Sequence, residues 1–432
     1  MKINSYRYAG IEKVHVTGLS VPNSAEQIRR FAYLEERLMF LLAAHHVSVA
    51  HRDLKMLLGR LQYEDATHSD ALRKRLNELR VPKGRMKSSP DKALTLLMNE
   101  AEHSENVPEL LTAVADVLKP ALVQAYENYL QACNPLADSP TVRILQQILV
   151  EEKEHLRLLR LAWEDLVKDA AERAATSLWL EKIRAFLKAA GGVNGLSPEK
   201  AELQPIRSQQ SYRIPRQLSR DHALKRVWDY EAPPQDDVGR HAAYLMGLRM
   251  SEVNVSEGLA IVLFEVKDKP WEFYADISRH LWDEVRHSLF GEAAIEATCG
   301  SRDAVPMRDY EGVYCMEAET MEQYATLGLE VEGANMKYPV GKRGEWEFFR
   351  ERARHPLMTT FQDFDWADEV LHVHIARRRL ENWFVGSPEE LARFAEAGKK
   401  HRSEIKKRGK GRALPDLLSQ LQKIHERSAV SA

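Results

Sequence analysis

An all-α protein built as two tandem four-helix bundles is the fold this sequence predicts, and three observations predict it. Long stretches are rich in Ala, Leu, Glu, Arg and Lys, whereas runs of alternating β-branched residues are nearly absent. The chain has 432 residues, 44% of them hydrophobic, which is too long for one typical core and suits two. Finally, a short acidic-x-x-His motif recurs at nearly the same depth in four helical segments.

The elements follow in order. Ser24 with Gln27 reads as a capping box for a helix through Glu36 to about His51, and a second helix starts at Asp53. A third covers about Pro108 to Ala132. The break "CNPLADSP" follows, and Ser139 with Pro140 opens the helix bearing "VEEKEHLRLL". The polar stretch Ser197 to Asp221 reads as a connection between domains. The scheme then repeats, with helices from Val238 to Val266, Pro270 to Ala297, Asp309 to Asn335 and Pro356 to Asn382. "GKRGEWEFFRERAR" is an insertion before the last of these. The predicted organisation is an N-terminal bundle over 1–195, a linker over 196–222, a C-terminal bundle over 223–385, and a basic linker with a final helix over 386–432.

Composition excludes several classes. A net charge of −2 makes no case for nucleic acid or an anionic membrane as partner. The basic run Ala397 to Arg412 reads as a solvated linker. Cys133, Cys299 and Cys315 form no CxxC pair, which argues against thiolate zinc sites and disulfide staples. No stretch holds 18 uninterrupted apolar residues and the first residues lack an apolar signal core, so a soluble cytoplasmic protein is expected. Nucleotide-binding glycine motifs and the serine hydrolase elbow are absent.

The motif carries the chemistry. Three residues along a helix leave Glu152 and His155 about 60° apart and one turn apart in height, so both reach one point. About two or three such pairs are expected by chance, and the chain has more, among them Asp65/His68, Glu100/His103, Glu152/His155, Glu284/His287 and Glu369/His372. Four of them share their depth past a helix start; Glu100/His103 does not. A preceding antiparallel helix can add a carboxylate to each, with Glu36, Glu127, Glu257 and Glu332 as candidates. Glu35 and Glu64 remain open as alternatives to Glu36 and Asp65, as do Glu252 and Glu330 to Glu257 and Glu332. Each bundle would then bury four carboxylates, a charge that two divalent cations neutralise. Oxygen donors with one imidazole per ion suit iron or manganese better than zinc or copper.

A lone Glu followed by Glu-x-x-His, twice over on a four-helix bundle, resembles the ferritin-like di-iron carboxylate proteins. The resemblance covers about Ser24 to Asp169 and Val238 to Asn382. It implies Glu36, Asp65, His68, Glu127, Glu152 and His155 as ligands of a first site, and Glu257, Glu284, His287, Glu332, Glu369 and His372 as ligands of a second. His280, one turn before Glu284, resembles the extra imidazole of the arylamine N-oxygenase branch, while Asp365 is expected to orient His372 or another ligand. Leu61 and Ile148 take the equivalent positions in the first bundle, and that apolar surround places the chemistry in the second.

The implied function is a non-haem di-iron oxygenase or oxidase, with two iron ions or an iron–manganese pair in the C-terminal bundle and a candidate second di-metal site in the N-terminal one. A small organic molecule and dioxygen would be its substrates, an external reductase its electron donor, and a homodimer its candidate assembly. Iron handling by the same site, as a ferroxidase, is the alternative; a helical scaffold carrying relic motifs is the third reading.

Overall fold

The computed structural model describes residues 6–86, 88–196, 198, 203–383 and 387–430. Residues 197 and 199–202 of the expected linker lie outside them, as do both chain ends. Among the described residues the chain is all-helical apart from four strands of two residues each. No described helix is long and apolar enough to cross a membrane.

Contacts divide the chain into two compact units, residues 1–42 with 64–213, and 43–63 with 214–432. The division falls inside both helices of the first hairpin, Val21–Ser48 and Arg52–Glu78. In unit 1, Leu34, Leu38 and Leu42 recur every fourth residue with no exposure, as the inward stripe of an amphipathic helix requires. Helix Lys119–Ala132 packs on Ser139–Leu166, and helices Lys92–Glu102 and Val107–Ala113 pack on Ala170–Ala189. In unit 2, Phe273, Ile277, Leu281 and Val285 form the corresponding stripe of helix Trp271–Cys299. That helix packs on Val238–Met250, Val253–Glu265 and Pro356–Trp383. A Cβ on Gly291 would lie 2.2 Å from the Met250 nitrogen, so glycine there sets how closely two of these helices approach.

Several boundaries differ from expectation. The first helix starts at Val21, a turn before Ser24, with the Ser20 hydroxyl accepting from the Asn23 N–H, so Ser24 is no cap. Asn106 caps the segment at Pro108, its side chain accepting from the Glu109 N–H. The segment then carries a π-turn at Val114–Leu118 before Lys119–Ala132. A second π-turn, Leu327–Val331, precedes Glu332–Asn335. The expected Val238–Val266 helix breaks at Ser251 and Glu252. Residues 397–406, expected as a solvated linker, continue helix Pro388–Lys406, whose Ala395, Gly398 and Ile405 are buried. The insertion forms helix Lys342–Glu347 and a π-turn, Phe348–Arg352.

Candidate metal centre

Each unit buries one cluster of carboxylates and imidazoles. In unit 1, Glu35, Asp65, His68 and Glu152 offer ligand-type atoms within 4.8 Å of one another, and His155 Nδ1 lies 3.3 Å from Glu152 Oε1. In unit 2 there are two such groups. One is His280, Glu284, Glu332 and His372; the other is Glu252, His287, Asp365 and Glu369.

The motif helices explain the convergence. Each motif has an acid immediately before it, and that acid holds the imidazole of the other motif in the same unit. Glu151 Oε2 lies 2.8 Å from His68 Nε2, and Glu64 bonds His155 Nε2. Asp368 Oδ2 lies 3.2 Å from His287 Nε2, and Asp283 Oδ2 lies 3.4 Å from His372 Nε2. A carboxylate on the outer nitrogen fixes the tautomer and leaves the Nδ1 lone pair facing inward, the arrangement found around metal-ligating histidines. The Nδ1 atoms of His68, His155, His287 and His372 are buried with no hydrogen-bond partner. The doubled acid before x-x-His was visible in the sequence as Glu64-Asp65, Glu151-Glu152, Asp283-Glu284 and Asp368-Glu369, and was the signal for these orienting residues.

In unit 2 two carboxylates face both groups. Glu284 Oε1 lies 3.3 Å from His280 Nε2 and 3.4 Å from His372 Nδ1, while its Oε2 faces His287 Nδ1 at 3.8 Å. Glu369 Oε2 faces His372, and its Oε1 accepts from the Lys342 ammonium at 2.6 Å. Asn335 donates to Glu332 at 3.3 Å and to Glu369 at 3.1 Å. Arg249 and Lys342 both donate to Asp365, and Arg249 also pairs with Glu252 at 2.9 Å.

No protein-family model matches the chain, and no curated protein or solved structure matches it. The site's own chemistry therefore carries the argument.

Charge separates the two clusters. In unit 2, Glu252, Glu284, Glu332, Glu345, Asp365 and Glu369 face Arg249 and Lys342, leaving four uncompensated negative charges. Two divalent cations would supply that charge. Without them protons must serve. Burial and the surrounding carboxylates, Glu369 first, push Glu332 well above the usual carboxylate range. Burial pushes Glu252 up too, against Arg249. Burial opposes charge on His372, but Asp283 and Glu369 outweigh it and raise the imidazole to about 9. His280, by contrast, is lowered by burial and by His372, which keeps it neutral and able to act as a ligand.

In unit 1 the chain supplies its own cation. The Lys119 ammonium is fully buried and donates to Asp65 Oδ1 and Glu152 Oε1, each at 2.7 Å. Burial disfavours the charge, but Asp65 and Glu152 hold the amine above its ordinary value. His68 and His155 are also raised by their carboxylate neighbours, against burial. Lys119 and two imidazolium groups balance Glu35, Asp65 and Glu152 with no metal. Lys119 is the first residue after its π-turn, and Glu332 is the first after the π-turn Leu327–Val331 of unit 2. One extra backbone residue per turn re-aims the side chain that follows, as π-bulges at functional sites do.

The structure thus brings together Asp65, His68, Glu152 and His155 in one unit, and His280, Glu284, His287, Glu332, Glu369 and His372 in the other. Three expected ligands lie elsewhere. Glu36 is about 100° around the helix from Glu35 and pairs with Arg73, while Glu35 turns inward and accepts from the Tyr126 hydroxyl at 2.6 Å. Tyr126 therefore touches the cluster. Glu127 is 38% exposed and pairs with Lys153, because the π-turn places Lys119 rather than Glu127 at cluster depth. Glu257 is buried between Lys55 and Arg220, and the helix break brings Glu252 to the cluster in its place. Asp365, expected to orient His372 or another ligand, lies 3.2 Å from His287 Nδ1. Glu100 accepts from the backbone N–H groups of residues 206–208, a loop-fastening role. Leu61 and Ile148 are buried, each within its own unit.

Proposed function

We propose that unit 2 is the working half of a ferritin-like di-metal oxidoreductase that uses dioxygen to oxidise a small organic substrate, with electrons from an external donor. One observation carries this reading: two four-residue oxygen and imidazole groups share a buried centre into which the Nδ1 atoms of His287 and His372 face with no hydrogen-bond partner. The donor set fits hard or borderline divalent ions such as iron and manganese. His280, Glu284, Glu332 and His372 would hold one ion and Glu252, His287, Asp365 and Glu369 the other, with Glu284 facing both. Bound iron would supply the redox chemistry and the open coordination positions that dioxygen activation needs.

The chain's own residues do the rest. Asp283 and Asp368 orient His372 and His287, and Arg279 and Arg286 balance those two acids. Asn335 holds Glu332 and Glu369 side by side. Near-complete burial of the ligands keeps bulk water away from the reacting centre. In unit 1, Lys119 favours the scaffold reading: its cluster is closed by the chain and serves stability. Two ferritin-like bundles derived by internal duplication, one retaining the metal chemistry and one not, account for the shared motif layout.

The test is dioxygen consumption by protein loaded anaerobically with ferrous iron, with a chemical reductant present. The wild type should consume dioxygen beyond the amount its own iron can reduce once, and Glu284→Ala should abolish this. Consumption that stops when the ferrous ion is spent would favour the ferroxidase reading.

A further inference from the structure

The two metal positions of unit 2 are not equivalent, and the difference rests on Lys342. The group His280, Glu284, Glu332 and His372 holds two imidazoles and two carboxylates, and among the described residues no lysine or arginine forms an ion pair with those carboxylates. The other group is already ion-paired. Lys342 Nζ lies 2.6 Å from Glu369, 2.9 Å from Asp365 and 3.4 Å from Glu252, and is 1% exposed. An ammonium donating to three of the four ligand residues occupies the space and the charge that an ion there requires.

Resting on the di-metal reading above, we infer that Lys342 is a displaceable internal cation: the first ion enters at His280, Glu284, Glu332 and His372, and the second must expel Lys342 from Glu369 and Asp365. Loading is then stepwise. The supporting comparison lies within each unit. Lys119 makes the same contact with Glu152 that Lys342 makes with Glu369, but Lys119 sits within a continuous stretch of helix running from Val107 to Ala132. Lys342 instead is the first residue of the helical stretch running from Lys342 to Arg352, which follows the exposed residues Tyr338 and Val340. A lysine in the first turn of a helix, beside an exposed loop, can withdraw as that turn frays, whereas one in mid-helix cannot. Arg249 stays with Asp365 and Glu252 from a buried helix, so withdrawal of Lys342 does not leave those carboxylates without a partner.

Anaerobic titration of the full metal-free chain with manganous ion, following the free ion by electron paramagnetic resonance, tests this. The wild type should bind one ion tightly and a second at least about tenfold more weakly, and Lys342→Met should tighten the second at least about tenfold while Lys342→Arg keeps it weak. Trypsin supplies a readout on the unaltered chain: cleavage after Lys342 should speed up only as the second ion binds. Two ions of equal affinity in the wild type, with no change in Lys342→Met, would overturn the inference and leave the di-metal reading standing. Absence of any bound ion in unit 2 would overturn both.

Discussion

The clusters of unit 1 and unit 2 can be compared position by position. Glu35 matches Glu252, Asp65 matches Glu284, His68 matches His287, Glu152 matches Glu369, and His155 matches His372. The sixth position follows a π-turn in both, and there Lys119 stands where unit 2 has Glu332. Reversing that one charge changes how the cluster is neutralised. Lys119 leaves unit 1 two negative charges among Glu35, Asp65 and Glu152, which protons on His68 and His155 can balance, whereas Arg249 and Lys342 leave unit 2 four, of which protons on His287 and His372 can balance only two. The same motif helices thus give an internally paired ion cluster in one case and a candidate ligand set in the other.

The largest effect should come from breaking the unit 1 balance. Lys119→Met leaves Asp65 and Glu152 buried without their cation, and removing one member of such a cluster costs about 3–5 kcal/mol. Urea unfolding of the metal-free chain should show that loss, while metal content stays at the wild-type value. Lys119→Glu goes further by giving unit 1 the carboxylate that unit 2 carries. It should be less stable than Lys119→Met without metal and should recover on adding manganous ion. Failure to recover would mean that Asp65, a methylene shorter than glutamate, also bars the ion.

The reciprocal change sharpens the comparison. Glu332→Lys should abolish tight ion binding in unit 2 while circular dichroism reports an unchanged helix content. Next in size is Asp368→Asn, which removes the charge holding His287 and should weaken metal binding about 10–100-fold. Glu151→Gln, the matching change in unit 1, should leave metal binding untouched.

The pH dependence follows from His372. Its imidazole is raised from 6.5 to about 9, so the metal-free protein gains stability from it below pH 6.5 and loses that stability as pH rises through about 9. Glu332, raised from the carboxylate range, acts in the same direction. Thermal melts of metal-free protein should therefore fall between pH 6.5 and 9, and saturating metal, which needs the neutral imidazole, should flatten that fall. The smallest effect is expected at Glu127→Gln, where an exposed pair is worth about 0–1 kcal/mol.

Much of this was legible in the sequence, and the failures have physical causes. The helices bearing Asp65/His68, Glu152/His155, Glu284/His287 and Glu369/His372 are regular, so spacing alone predicted which side chains converge. The lone carboxylates lie where the helices are irregular. Glu252 reaches its cluster through a helix break, and the π-turns before Lys119 and Glu332 shift the helical phase by one residue. Counting at 3.6 residues per turn cannot follow such a shift, which is why Glu257 and Glu127 were expected in their place. Lys342 arrives from an insertion with no counterpart in the repeat. The cations were missed for a general reason: a sequence shows which charges exist but not which of them are buried together.

Elemental analysis of iron and manganese in anaerobically purified wild type, Glu284→Ala and Glu152→Ala tests the central claim most directly. The account predicts about two ions per chain in the wild type and in Glu152→Ala, and none in Glu284→Ala. Ions retained by Glu284→Ala and lost from Glu152→Ala would place the metal in unit 1 and contradict it.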